Sequence, residues 1–75
     1  MPKLPVIGGD KLVKALLKVG FEEIRQESSH VSLWREQDNK HITIPVHRGT
    51  PLGKGLLSRI LKDIGLPIDE LRKLL

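Results

Sequence analysis

The constraint that leaves the fewest folds open is a change of period along the chain. Between Leu12 and Leu17 apolar residues recur with helical spacing; from His30 to Val46 they alternate; from Leu56 to Ile64 helical spacing returns. Within Ser28-Ser29-His30-Val31-Ser32-Leu33-Trp34-Arg35, Val31 and Leu33 point one way, and His30, Ser32 and Trp34 the other. This is a strand with one apolar face and one face carrying an imidazole, a hydroxyl and the only tryptophan. A strand that merely supported a core would not need that second face, so His30, at the strand entry, is the first candidate for function.

The remaining elements follow in order. Met1 to Ile7 carries two prolines and no periodicity, an extended lead-in. Gly8-Gly9-Asp10 opens a helix, with Asp10 suited to its positive end. Leu12, Val13, Leu16 and Leu17 form its apolar stripe, Lys11, Lys14 and Lys18 a solvated face, and Gly20 its left-handed stop. Phe21 to Glu27 reads as a first strand of imperfect alternation, Phe21 anchoring the turn and Ile24 facing the core. Strand two runs from about His30 to Arg35, and Gln37-Asp38-Asn39-Lys40 is a turn by composition. Strand three covers about His41 to Val46, with Ile42, Ile44 and Val46 inward and His41, Thr43 and Pro45 outward. Pro45 donates no ladder bond, which makes this strand an edge or ends it. A basic loop, His47 to Gly53, leads to a second helix, Lys54 to Ile64, with Leu56, Leu57, Ile60, Leu61 and Ile64 as its stripe. Gly65 closes it, and Pro67 introduces a short helix over Ile68 to Leu75.

The expected architecture is α+β, in the order α-β-β-β-α, within a single domain spanning 1–75. Two helices cover one face of a three-stranded antiparallel sheet, and a short extra helix follows. The other face stays open and carries His30, Ser32, Trp34, His41 and Thr43. Double-stranded-RNA-binding domains use this arrangement, which by itself gives only an analogy for function.

Composition narrows the chemistry. No cysteine is present, so disulfides and thiolate metal sites are excluded. No apolar run approaches the ~18 residues of a membrane span, and the start lacks the apolar core of a signal peptide. A soluble cytoplasmic protein with no membrane association is expected. Thirteen Lys and Arg against nine Asp and Glu give +4, which favours an anionic partner.

Imidazole is the side chain that ordinarily gives or takes a proton near neutrality, so His30 beside cations suits metal-free RNA cleavage. His41 shares the face of His30 from the neighbouring strand, but two imidazoles without thiolates or an obvious carboxylate make a poor metal site, and no metal or cofactor is expected. His47 reads as an exposed loop residue able to touch phosphate when protonated. Gly53-Lys54-Gly55 stands at a helix start, where free N–H groups favour an anion. Lys54, Arg59 and Lys62 lie off the apolar stripe of that helix, and together with Arg48 of the loop they are the candidate phosphate contacts. Trp34 is a candidate to stack on a base, and equally a cover for the sheet or part of a protein interface.

Arg25-Gln26-Glu27-Ser28-Ser29-His30-Val31 resembles the junction of the first two strands in HicA-type toxins, usually written R-Q-x-G-S-H-x. Ile44-Pro45-Val46-His47 and the run Gly53 to Gly65 are similar to the same family's third strand and second helix, and Leu4-Pro5-Val6-Ile7 with Gly20-Phe21 fits its opening. Ser28 stands at the usual glycine and Glu27 at a usually basic position. The resemblance covers essentially the whole chain. It implies a type II toxin with a double-stranded-RNA-binding-like fold that cleaves mRNA through one histidine, here His30, and is neutralised by a HicB-type antitoxin covering the site. A non-catalytic RNA-binding module of the same fold is the alternative, and a partner-binding protein whose sheet face is only an interface is a third.

Overall fold

A computed structural model describes residues 3–75. Six elements follow one another: α1 (Gly9–Leu17), β1 (Phe21–Glu27), β2 (His30–Arg35), β3 (Lys40–Pro45), α2 (Lys54–Ile64) and α3 (Ile68–Leu74). The strands form one antiparallel sheet in the order β1-β2-β3. The expected α+β architecture is therefore observed.

Alternation places Val31 and Leu33 of β2, with Ile44 of β3, on the covered face, where all three are buried. Leu12, Val13, Ala15 and Leu16 of α1 and Leu57, Ile60, Leu61 and Ile64 of α2 complete the same cluster. Burying one such side chain contributes about 1.5–3 kcal/mol, so this stripe-on-sheet contact is the main source of stability. Both helical stripes are narrower than their sequences suggest. Leu17 is 44% exposed and Leu56 42%, because each lies about 100° around its helix from the next core residue, Leu16 or Leu57. In α3, Leu71 is fully buried and Ile68 and Leu74 pack against the core.

Ile24 does not face the core. The pairing of β1 with β2 shifts between Glu23 and Arg25, and Ile24 is the extra residue of that bulge. It is 53% exposed. Beyond the bulge, Arg25 stands opposite Ser32 and Glu27 opposite His30, so both side chains join the open face. The third strand ends at Pro45 rather than Val46; the Val46 N–H leaves the ladder and donates to the Ser29 carbonyl.

Two helix ends differ in kind. Gly65 caps α2 at φ 70°, and the Leu66 N–H reaches back to the Leu61 carbonyl. Helix α1 stops earlier than expected, at Leu17, through tight turns from Lys18 to Ala15 and from Val19 to Leu16. Gly20 then takes a positive φ after the helix rather than as its cap.

The start of α1 is set against the sheet itself. A Cβ on Gly9 would overlap the Pro45 carbonyl, so only glycine permits the helix to begin there. Gly8 bridges to Pro51, and the Leu52 N–H donates to the Ile7 carbonyl at 2.8 Å. The lead-in, the start of α1, the end of β3 and the loop before α2 are thus joined through their backbones, with Ile7 buried in the core and Val46 and Leu52 packed against it.

Candidate functional site

No helix covers the second face of the sheet among the described residues. Cross-strand pairing arranges it in three rows: Glu22, Trp34 and His41; Arg25, Ser32 and Thr43; Glu27, His30 and Pro45. His30 is exposed, at the first position of β2. A two-residue turn, Ser28-Ser29, delivers it there, with Ser28 in the left-handed region at φ 52°. That conformation explains why a glycine suits the position in the R-Q-x-G-S-H pattern.

The imidazole beside His30 is that of His47. The two ring centroids lie 6.4 Å apart with planes at 80°. Sequence reasoning instead set His41 on the face of His30 and left His47 as a loop residue. His41 does share the face, but it pairs with Trp34, two rows away. His47 reaches His30 because the chain continues past Pro45, the strand partner of His30, and the Val46 N–H is fastened to the residue before His30. Pro45 and His47 share alternation parity, but the turn expected at 37–40 would set His47 opposite His30; the observed turn covers 36–39, Lys40 joins β3, and Pro45 becomes the partner of His30.

Arg25 was also missed. Its guanidinium pairs with Glu27 on the edge strand next to His30. This places a cation near His30 and occupies the carboxylate that stands opposite it. With Ile24 expected inward, alternation already sends Arg25 outward; what sequence did not show is its pairing with Glu27 beside His30.

The candidate phosphate contacts separate. Arg48 follows His47 in the exposed loop, and Lys54 begins α2; both are exposed. Arg59 and Lys62 are exposed further along α2, whose far end lies at Arg35, since the Arg35 guanidinium donates to the Ile64 carbonyl. Lys62 is eight residues, roughly 12 Å of helix, beyond Lys54 and runs away from the His30 end. Trp34 lies four residues from His30, roughly 13 Å along the strand. Its indole N–H donates to Asn39 Oδ1 at 2.8 Å, and the ring is half-buried. The structure does not bring Trp34 to His30 and His47; its cross-strand neighbour is His41.

Between these ends, a shallow depression of about 350 Å³ is lined by Ile24, Arg25, Ser32, His41 and Thr43. Ser32 and Thr43 face each other across it, hydroxyl to hydroxyl at 3.5 Å. A second, of about 250 Å³, lies beside His47 against Gly8, Asp10 and Lys11. No group of three or more His, Cys, Asp or Glu arranged to hold a metal ion occurs among the described residues. None of their helices is long and apolar enough to cross a membrane.

Fold and face together define a small α+β domain that presents a histidine pair and flanking cations on an uncovered sheet. The family model for the HicA toxin of bacterial toxin-antitoxin matches residues 9–66, and the chain belongs to that family. It is the toxin member of such a pair, with an antitoxin as its counterpart. No curated protein matches the chain.

Proposed function

We propose that this toxin is an endoribonuclease that cleaves mRNA without a metal ion, using His30 for proton transfer. The observation that carries the reading is the presentation of His30: an exposed imidazole at the start of β2, on the face no helix covers, with Arg25 paired to the Glu27 that stands opposite it. An imidazole so placed can exchange a proton with an RNA oxygen at neutral pH, and the cations oppose the charge that gathers on phosphorus. Arg48, next to His47 in the loop, and Lys54, at the start of α2, are the proposed contacts to the phosphates next to the cleaved bond. Arg59 and Lys62 extend the positive surface along α2 and act on more distant phosphates. A HicB-type antitoxin neutralises the toxin by covering the open face, and the depression around Ile24, Ser32 and Thr43 receives one of its side chains.

The decisive experiment compares native and His30→Ala protein on a labelled RNA oligonucleotide in the presence of a chelator. Cleavage should fall by about 10²–10⁴-fold. Folding should be retained, because the side chain faces away from the core. RNA binding should survive, and growth arrest on expression should be lost. A folded His30→Ala protein that cleaves at the native rate removes the catalytic assignment. A native chain that binds RNA and never cleaves it leaves the non-catalytic binding module as the function.

A further inference from the structure

We propose that His47 is a second catalytic residue, forming with His30 a general acid–base pair that cleaves RNA by attack of its own 2′-hydroxyl. This rests on the ribonuclease reading above and adds to it the second proton carrier that the reaction needs.

The pair is built into the fold. The Val46 N–H bonds the Ser29 carbonyl, tying together the residues that precede the two histidines. Pro45, two residues before His47, is the ladder partner of His30. On the far side of His47, the Thr50 N–H returns to the His47 carbonyl at 3.1 Å, and Leu52 is held by Ile7. The loop is therefore anchored on both sides of the imidazole. Both rings are exposed, and neither makes a hydrogen bond to protein among the described residues. At 6.4 Å between centroids they are too far apart to bond each other. They are close enough to take one phosphodiester between them, with an oxygen about 3 Å from a nitrogen of each ring.

The reaction then balances. The neutral imidazole takes the 2′-hydroxyl proton as the 2′-oxygen bonds to phosphorus. The phosphorus–5′-oxygen bond breaks, and the imidazolium gives its proton to the departing 5′-oxygen. The products are a 2′,3′-cyclic phosphate and a 5′-hydroxyl, with no water consumed. The charged groups bordering the pair are Glu27 and Arg25 from β1, Arg48 from the loop, and Asp10 and Lys11 from the start of α1. The Glu27 carboxylate is engaged by Arg25.

The test is the pH dependence of cleavage by the native, His30→Ala, His47→Ala and His47→Lys proteins, with folding checked by circular dichroism. The native rate should be bell-shaped in pH, and each Ala variant should lose about 10²–10⁴-fold and one limb of the bell. The double variant should be little worse than either single one, because the two groups act in one step. On an RNA whose scissile 5′-oxygen is replaced by sulfur, a leaving group that needs no acid, one Ala variant should recover and the other should not. A His47→Ala protein with the native rate and both limbs overturns the proposal, and an inactive His30→Ala beside it leaves the ribonuclease reading standing. Full activity in His47→Lys also overturns it, since His47 would then act only as a charge. A His30→Ala protein that cleaves normally overturns both readings.

Discussion

The two ends of the sheet are held by opposite means. At the Trp34–Arg35 end, side chains do the holding. Arg35 donates to both oxygens of Asp38, at 2.9 and 2.7 Å, to the Val19 carbonyl after α1 at 3.5 Å, and to the last carbonyl of α2 at 3.4 Å. Its guanidinium lies 4.5 Å from the centre of the Phe21 ring, and Trp34 fastens Asn39 in the same turn. At the His30–His47 end the backbone does the holding: Gly9 against Pro45, Val46 to Ser29, Leu52 to Ile7. A side chain that satisfies helix carbonyls and a carboxylate has little left to offer a substrate. Where the main chain supplies the rigidity, side chains stay free for chemistry. The free end is the one that carries His30 and His47.

This contrast can be broken by mutation, and the largest effect is expected at the backbone-held end. Gly9→Ala drives a methyl group into the Pro45 carbonyl, and denaturant unfolding should show a loss of about 3 kcal/mol or more. A loss under about 0.5 kcal/mol would mean that the α1–β3 junction is not tightly set. Arg35→Ala should come next, at about 1–3 kcal/mol, from the lost charged hydrogen bonds and ring contact. It should leave RNA cleavage per folded molecule unchanged; a fall in cleavage at full folding would couple the two ends.

The side-chain-held end should also be the acid-sensitive one. The hydrogen bonds from Arg35 hold the Asp38 carboxyl below the ordinary carboxylate range, and Asp38 in turn raises the Arg35 guanidinium. A carboxyl whose folded pKa is lowered contributes stability that is fully present above its unfolded value, about 4. That contribution is lost as pH falls through the lower folded value. Asp38→Asn should flatten stability against pH in that acid range, and an unchanged profile would show that the ion pair does not contribute.

Smaller effects sharpen the comparison. Ser28→Gly relieves a left-handed serine at the turn before His30 and should raise stability by up to about 1 kcal/mol. No gain would mean that the turn tolerates serine without strain. His30→Ala and His47→Ala should each change stability by less than about 0.5 kcal/mol, since both rings are exposed. A larger loss at either would make that histidine a structural residue and return it to the class of Arg35.

Local pattern determined the element order and the covered face. Alternation of Val31 with Leu33 and of Ile42 with Ile44, set between two helical stripes, admits few arrangements that bury every stripe at once. The same alternation put His30 on the open face, because a strand's parity is a local property. What local pattern does not contain is a departure from parity or a meeting of distant segments. The bulge at Ile24 took that residue out of the core and lets Phe21 be buried while Arg25 and Glu27 share the face of His30; one inserted residue reverses the parity between them. Arg35 looked like the last residue of a strand, and became the joint of two helix ends only once both helices were packed. His47 looked like an exposed loop residue beside Arg48. It came to His30 because Val46 leaves the ladder to bond Ser29, a contact seventeen residues apart that periodicity does not encode. The first histidine was therefore determined by sequence, and its neighbour by tertiary structure, since parity is set residue by residue and proximity only by the closing of the fold.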